Sequence, residues 1–222
     1  MTIRIAMWSG PRNISTAMMR SFGARSDCAV SDEPYYGACL NQSGEPHPMA
    51  LEIIKDMDCD WVSILETLAG DPKTGEPIWY QKHMPHHMVG AVGIEDMPGH
   101  RHALLIRAPE RVVASYRAKN ELRRAEVLGF ADIRRYVAFE TERSGLVPPI
   151  VDADRFMADP AAMLEKLCAR LGIDWTTNML SWAKGPHHDD GIWGEHWYEK
   201  VNDSTGFGSP PGPMPKLDGD YA

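Results

Sequence analysis

The chain has 222 residues, which is enough for one sizeable hydrophobic core and short for two. Its formal net charge of -8 at pH 7 argues against a nucleic-acid partner, because binding a phosphate backbone requires a surplus of lysine and arginine. With 43% hydrophobic and 24% charged residues the composition is that of an ordinary folded protein, which excludes a disordered chain.

The first predicted elements are a strand, a tight turn and a helix. Residues 3–8 form a short apolar run, and residues 13–25 are compatible with a helix after the Ser-Gly-Pro turn. A second brief strand is predicted to end near residues 30–31, because Asp-Glu-Pro follows it. Residues 37–48, rich in glycine, proline, asparagine and serine, are predicted to form a loop, and helical periodicity returns over residues 49–68.

Strands and helices continue to alternate along the second half of the chain. Strands are predicted at 77–82, 102–107 and 149–152, and helices from Pro109 and over 130–143 and 160–171. This alternation predicts a single α/β domain with a mostly parallel sheet that is flanked by helices on both faces. From residue 187 the periodicity is weak, and we expect the aromatic segment up to residue 207 to fold over the strand ends. The predicted domain covers 1–207, followed by an irregular C-terminal tail over 208–222.

The segment from Ser9 to Thr16 predicts an anion-binding loop. A loop between a strand and a helix presents unpaired backbone N–H groups and the positive end of the helix dipole. Arg12 adds a planar guanidinium for bidentate contact with phosphate oxygens, and Ser15 and Thr16 add hydroxyl donors. The alternative interpretation is an ordinary helix start in which proline and serine serve only as turn and cap.

This loop differs from the Walker A pattern and is similar to another one. It lacks the second glycine and the lysine of G-x-x-x-x-G-K-[ST], and no strand-ending aspartate is evident for Mg²⁺, so an ATP-driven enzyme fits less well. The loop resembles the P-K/R-S-G-T-T-W segment of the P-loop sulfotransferase family, a family whose donor is 3′-phosphoadenosine-5′-phosphosulfate. The resemblance implies that the protein is a divergent bacterial-type member of this family. It also implies that the phosphosulfate group of the donor is bound by residues of this loop, namely Arg12, Asn13, Ile14, Ser15 and Thr16.

Two departures from the family pattern affect the adenine site. Asn13 and Ile14 differ from the family residues, and Ala17 stands where many members carry a tryptophan against adenine. Stacking on adenine is therefore expected from elsewhere, and Trp193 is the candidate. The family's C-terminal R-K-G-x-x-G-D-W loop is only partly present, and from it the resemblance carries over Lys184 and Trp193 as donor-binding residues. A packed aromatic loop is the alternative.

A second anion site is indicated by Arg107 and Ser115. They resemble the R-x-P-x-x-x-x-x-S segment that binds the 3′-phosphate in sulfotransferases. Arg107 ends a buried strand near the expected ligand crevice, and Ser115 lies two helical turns further on, so both can point at one anion. A salt-bridged Arg107 and a solvated Ser115 are the alternative. Residues 151–172 are similar to a structural element of the same family.

Two residues compete for the role of catalytic base. Sulfuryl transfer requires a group that takes the acceptor proton and a cation that stabilises charge on the leaving phosphate, for which Arg12 is placed. His83, in Gln-Lys-His-Met-Pro, resembles the base of the K-T-H-L-P segment, although its lysine lies one place closer. Glu33, in Asp-Glu-Pro-Tyr, resembles the glutamate base of carbohydrate sulfotransferases, and His83 ranks ahead of it because the pattern around His83 matches at more positions. A structural histidine and a capping carboxylate are the respective alternatives.

The remaining expectations concern ligands and partners. The histidines at 83, 86 and 87 and the residues 187–190 have metal-binding types of side chain but no defined ligand geometry, so no metal is expected. The sequence predicts a small-molecule acceptor with a hydroxyl or amine, and it leaves the oligomeric state open, a homodimer included. The scattered cysteines and the absence of a signal segment or a membrane-length apolar run predict a cytoplasmic location without membrane association. A P-loop phosphotransferase or nucleotide hydrolase and a catalytically inactive nucleotide-binding module remain as alternative functions.

Overall fold

The protein is built on one parallel β-sheet. The computed structural model describes residues 2–122 and 124–218. The strands are β1 (Ile3–Ser9), β2 (Cys28–Asp32), β3 (Ile78–His83), β4 (Arg101–Ile106) and β5 (Ile150–Asp152). They lie in the order β2-β3-β1-β4-β5, and every neighbouring pair is parallel. The predicted α/β architecture with a parallel sheet is confirmed.

Helices cover both faces of the sheet, as the sequence predicted. They are α1 (Ser15–Gly23), α2 (Tyr36–Ser43), α3 (Ala50–Asp56), α4 (Trp61–Ala69), α5 (Pro109–Arg117), α6 (Phe130–Ser144), α7 (Ala153–Ala158), α8 (Pro160–Leu171), α9 (Gly194–Trp197) and α10 (Glu199–Asn202). Because side chains alternate along a strand, Ile5 and Met7 pack against α1 and α8 while Ala6 and Trp8 pack against α6. Residues 208–218 form neither helix nor strand, and residues 219–222 of the predicted tail lie outside the described residues.

Two predictions about the segment after β2 were wrong. Most of the expected loop at 37–48 is helix α2, which buries Ala38 and Leu40 and ends at Gly44 in a left-handed conformation. Gly37 marks a close helix contact here, since a Cβ at this position would lie 2.7 Å from the Cβ of Met57. The expected helix at 49–68 is divided into α3 and α4, because Asp60 accepts hydrogen bonds from two amides and starts a new helix. Composition alone suggested a loop where tertiary burial selects a helix.

Strand β3 directs its polar side chains to opposite faces of the sheet. Tyr80 stacks on Phe22 of α1 with ring centroids 4.3 Å apart, and Lys82 lies on this same face. His83 lies on the other face, where its ring stacks on Trp8 at 4.6 Å. Neighbouring residues of one strand therefore enter two different environments.

Buried histidines are a distinctive part of the packing. The side chain of His100 is buried, and its Nε2 donates to the carbonyl of Leu68 at 3.2 Å. Burial lowers the pKa of His100 to about 4, and burial lowers the pKa values of His86 and His87 to about 3. These imidazoles are accordingly neutral in the folded protein at pH 7.

We expect the free energy of unfolding to fall as the pH drops from about 6.5 towards 4. In the unfolded chain a histidine takes up its proton near pH 6.5, whereas His100 stays neutral in the folded protein down to about pH 4. Between these values the unfolded state binds more protons, so acid favours it. Urea titrations at pH 7, 6 and 5 measure the loss.

The His100→Gln variant isolates one of these groups, because glutamine can keep a donor towards the carbonyl of Leu68 without titrating. Its unfolding free energy is expected to depend less steeply on pH, by up to about 1.4 kcal/mol per pH unit. An unchanged slope contradicts the assignment.

Candidate active site

A large cleft lies at the carboxyl ends of the strands. Its volume is 1480 Å³, and its floor contains the residues that follow β1 and β4 together with Glu33 after β2 and Lys82 at the end of β3. Single small-molecule sites usually have about 300–1,000 Å³. The cleft therefore has room for more than one small ligand, at the edge where parallel α/β sheets bind their ligands.

The loop between β1 and α1 has the geometry of an anion site. No hydrogen-bond partner among the described residues accepts from the amides of residues 12–17, and Ile14 at the helix start provides no side-chain cap. Arg12 has a φ of 60°, a left-handed conformation that costs energy for a residue with a side chain. Gly10 is required by close packing, since a Cβ there would lie 2.2 Å from the carbonyl oxygen of Leu128. The exposed amides and the helix dipole favour a bound anion.

The two anion motifs of the sequence meet at this loop. The Nε of Arg12 donates to the Oγ of Ser115 at 3.0 Å, and Nη1 of Arg107 donates to the carbonyl of Arg12 at 2.9 Å. No carboxylate among the described residues pairs with Arg12, and burial lowers the pKa of its guanidinium. Arg107 lies 3.8 Å from Asp154, measured from Nε to Oδ1. Arg12 therefore offers most of its N–H groups to a ligand in the cleft.

A buried lysine is the centre of the polar network beneath the cleft. Nζ of Lys82 donates to Asp32 at 2.7 Å, to the hydroxyl of Tyr198 at 2.7 Å and to Oε1 of Glu33. The Tyr198 hydroxyl in turn donates to the other Asp32 oxygen at 2.7 Å. Burial opposes the charge on Lys82, but the two carboxylates outweigh it and raise the pKa of this lysine well above its ordinary value. Lys82 is thus a charged group that is saturated with partners.

The C-terminal segment closes over this network. Arg20 of α1 forms a bidentate ion pair with Asp190, and its Nη2 also donates to Asn202 at 3.0 Å. The amide of Gly191 donates to Asp32 at 3.1 Å. These contacts fix the segment around α9 and α10 against the carboxyl ends of β2 and β3.

The Arg20–Asp190 pair predicts a large loss of stability on mutation. Its side chains are only 1% and 8% exposed, so Asp190→Asn leaves a buried guanidinium without its counter-charge. We expect the free energy of unfolding to fall by about 3 kcal/mol in a urea titration.

The matched control is Asp203→Asn at the surface pair with Lys184, whose side chains are 71% and 63% exposed. This substitution is expected to cost no more than about 1 kcal/mol. Equal effects of the two substitutions contradict a structural role for the Arg20–Asp190 pair.

The two base candidates occupy different environments. Glu33 directly follows β2, lines the cleft and has a φ of 45°, a strained conformation. His83 is buried on the opposite face between Trp8 and Tyr35 and does not line the cleft. Burial and then the neighbouring His100 lower the pKa of His83 well below its ordinary value. Glu33 and the loop between β1 and α1 line the same cleft, and His83 lies outside it.

Lys184 and Trp193, the two residues of the C-terminal loop that were expected to bind the donor, lie in different surroundings. Lys184 pairs with Asp203 at 3.2 Å and is mostly exposed outside the cleft. Trp193 borders the cleft but is only 2% exposed, and its indole N–H donates to Tyr198 at 3.1 Å. Its ring meets Tyr36 edge to face at 5.0 Å. Trp193 thus supports the network around Tyr198, and its indole face is not open for stacking.

Sequence reasoning did not select Lys82, Tyr198 or His87. A lysine inside an apolar strand was the available signal for Lys82, since a buried charge requires partners. His87 lines the cleft beside Glu33, with Nδ1 and Oε2 3.8 Å apart. Tyr198 carried no signal, because its partners Asp32 and Lys82 are distant in the chain.

Two further findings concern metals and membranes. In residues 2–122 and 124–218 no group of three or more histidine, cysteine, aspartate or glutamate side chains could hold a metal ion. Within the same residues no helix has the length and apolar character needed to span a bilayer.

The strand order and the loop define the class of protein. A parallel sheet whose first strand lies in the centre and leads through a short loop into a helix is a P-loop-type α/β fold. The family model described as a sulfotransferase domain matches residues 3–222. The chain belongs to the sulfotransferase domain family, a family of transferase enzymes, as the sequence resemblance predicted.

Two solved sulfotransferase domains share the fold of this chain. The sulfotransferase domain from the curacin biosynthetic pathway has a TM-score of 0.54 at 14% identity, covering 86% of this chain and 81% of that domain. The sulfotransferase domain from the Synechococcus PCC 7002 olefin synthase has a TM-score of 0.56 at 14% identity, covering 88% and 82%. At this identity the two structures show a shared fold.

The sequence relatives are longer plant proteins. Branched-chain-amino-acid aminotransferase-like proteins 2 and 1 of Arabidopsis thaliana are 34% and 32% identical over 93% of this chain. The chain spans only 36% and 37% of their length. The similarity therefore concerns one part of each plant protein.

Proposed function

We propose that the protein transfers a sulfuryl group from 3′-phosphoadenosine-5′-phosphosulfate to a small acceptor with a hydroxyl or amine. The observation that carries this proposal is the contact between the two anion motifs, where Nε of Arg12 lies 3.0 Å from Oγ of Ser115. A donor with phosphate groups at both ends of its ribose requires two anion sites side by side. A donor with a single phosphate chain requires only the site at the loop between β1 and α1.

Each anion site has donors available for its phosphate. The free amides of residues 12–17 and the open guanidinium of Arg12 suit the phosphosulfate group, with the hydroxyls of Ser15 and Thr16 beside them. Arg107 and Ser115 suit the 3′-phosphate. Lys184 and Trp193 are not assigned to the donor in this proposal, because one is turned away from the cleft and the other is buried.

The proposed chemistry uses Glu33 as the base. A bond forms between the acceptor oxygen or nitrogen and sulfur while the bond from sulfur to the 5′-phosphate oxygen breaks, and its electron pair leaves with 3′,5′-adenosine diphosphate. Glu33 takes the acceptor proton, and Arg12 with the loop amides stabilises the charge that develops on the leaving phosphate. Lys82 holds the Glu33 carboxylate in place, and Lys82 in turn donates to the hydroxyl of Tyr198. His83 is not used, since it is packed on the opposite face of the sheet.

The donor claim is tested by thermal shift. We expect 3′,5′-adenosine diphosphate to raise the melting temperature clearly more than 5′-AMP or ATP, because only it fills both anion sites. Arg107→Ala should remove the difference between the shifts with 3′,5′-adenosine diphosphate and with 5′-AMP. Arg12→Ala should reduce the shifts with all three nucleotides.

The matched control is Arg134→Ala on the outer surface of α6, which removes one positive charge away from the cleft. It should leave all the nucleotide shifts unchanged. A wild-type protein without a selective response to 3′,5′-adenosine diphosphate refutes the donor claim.

The base assignment is tested by release of 3′,5′-adenosine diphosphate from the donor with 2-phenylethanol as acceptor. Glu33→Gln should reduce kcat by at least about a hundredfold, the usual contribution of a general base, while 3′,5′-adenosine diphosphate still binds. His83→Phe keeps an aromatic ring against Trp8 and should retain most of the activity. Comparable losses in two folded variants would restore His83 as a candidate base.

The alternative functions make different predictions. Mg²⁺-dependent turnover of ATP would indicate a phosphotransferase or nucleotide hydrolase. Selective binding of 3′,5′-adenosine diphosphate with no transfer would indicate an inactive module. The proposal keeps a cytoplasmic location, and the four cysteines are free thiols, which suits a reducing compartment.

A further inference from the structure

The order of the strands divides the cleft into two sides. Strand β1, which leads into the loop of Arg12, lies between β3 and β4 in the order β2-β3-β1-β4-β5. Arg107 and Ser115 follow β4, whereas Glu33 follows β2. In the proposed function the 3′-phosphate of the donor is therefore bound on the β4 side of the loop. The acceptor, which must reach Glu33, is bound on the side of β2 and β3.

The side of the cleft next to β2 and β3 has an apolar surface. We call the cleft-lining residues within 36–48, 84–89 and 193–201 the acceptor wall. Its accessible side chains include six that are apolar or aromatic, namely Pro46, Pro48, Met88, Val89, Trp197 and Val201. Apolar groups that remain accessible inside a cleft are typical of a ligand-binding surface.

Trp197 is the largest of these side chains. It ends α9, and its ring centroid lies 5.6 Å from that of His47, whose ring in turn meets Tyr36 edge to face at 5.4 Å. The amide of Tyr36 donates to the carbonyl of Glu33 at 2.9 Å. A short run of contacts thus leads from the proposed base to Trp197. This indole is only half-buried, whereas that of Trp193 is closed off by packing.

The polar side chains of the acceptor wall are poorly suited to a ligand with many hydroxyls. Glu45 is paired with Arg124. The ring nitrogens of His47 lie 2.7 Å and 2.9 Å from the hydroxyl of Tyr36, and Nδ1 is also 3.1 Å from the carbonyl of Pro48. A sugar carries several hydroxyls, and each one that is buried without a partner costs free energy. An acceptor with one reacting hydroxyl on an apolar body avoids this cost.

We infer that the acceptor is an alcohol with an apolar body, and that Trp197 is the residue that binds this body. An aromatic or aliphatic group of the acceptor packs against the accessible part of the indole while its hydroxyl reaches Glu33. This inference rests on the proposed function and narrows its acceptor class. It separates this protein from sulfotransferases that act on carbohydrates, although Glu33 resembles the base of those enzymes.

The experiment measures kcat/KM for three acceptors from the release of 3′,5′-adenosine diphosphate. Butan-1-ol and 4-phenylbutan-1-ol differ only in the phenyl ring, and methyl β-glucopyranoside is the polar probe. We expect 4-phenylbutan-1-ol to exceed butan-1-ol by roughly tenfold to a hundredfold, the effect of burying one aromatic ring. The glucoside should fall below 4-phenylbutan-1-ol by roughly tenfold or more, because its hydroxyls lose their water.

Trp197→Ala should lower kcat/KM for 4-phenylbutan-1-ol by roughly tenfold and have little effect on butan-1-ol. A loss confined to one alcohol is specific, because a disturbance of the fold or of Glu33 lowers the activity with both. Trp197→Phe keeps an aromatic ring and should retain most of the preference. The matched control is Trp175→Ala, since Trp175 is also half-buried against the main core but lies outside the cleft. It should leave the ratio of the two alcohols unchanged.

The outcomes separate this inference from the proposed function. All three tryptophan variants should keep the wild-type thermal shift with 3′,5′-adenosine diphosphate. A wild-type enzyme that binds this nucleotide but treats the two alcohols equally, prefers the glucoside or sulfates none of the probes refutes the apolar acceptor and leaves the donor proposal intact. A preference for the phenyl ring that survives in Trp197→Ala removes the role of Trp197. A wild-type protein that does not bind 3′,5′-adenosine diphosphate refutes the proposed function instead.

Discussion

The buried ammonium of Lys82 is the interaction on which the arrangement of the cleft depends. A charge removed from water is tolerated only when partners surround it, because the cost of desolvation is several kcal/mol. Lys82 obtains these partners from Asp32 and Glu33 at the end of β2 and from Tyr198 in the C-terminal segment. Because these groups surround Lys82, strands β2 and β3 are joined to the C-terminal segment. The same contacts orient the carboxylate of Glu33.

Among the described residues near the cleft, the buried cations Lys82 and Arg20 are saturated with partners, whereas Arg12 is open. Lys82 and Arg20 are paired with buried carboxylates and stabilise the folded structure. The guanidinium of Arg12 lines the cleft, and among the described residues it donates only to the hydroxyl of Ser115. A protein with a net charge of -8 can in this way present a local positive site to a small anion. Arg12 and Glu33 both have a strained backbone conformation, and both line the cleft. Strain of this kind is typical of functional sites.

Much of the fold could be predicted from local patterns, and the failures have a physical cause. The strands and most helices were found from periodicity and from turn residues, which act over a few neighbouring positions. Helix α2 was missed because its glycine, asparagine and serine favour turns, while the burial of Ala38 and Leu40 against the core outweighs that preference. The break between α3 and α4 depends on the cap at Asp60, a contact that periodicity does not reveal.

The sequence by itself determined the loop between β1 and α1, the order of the two motifs that we assign to phosphate binding, and the family, because these depend on short segments with fixed spacing. Tertiary structure decided which polar residues reach the cleft. Side chains alternate along a strand, so the lysine one place closer than in the family pattern puts Lys82 towards the cleft face and His83 into the opposite core. Tyr198 meets Lys82 across 116 residues and His87 meets Glu33 only through folding. Contacts between distant segments are set by packing of the whole chain, and no local pattern encodes them.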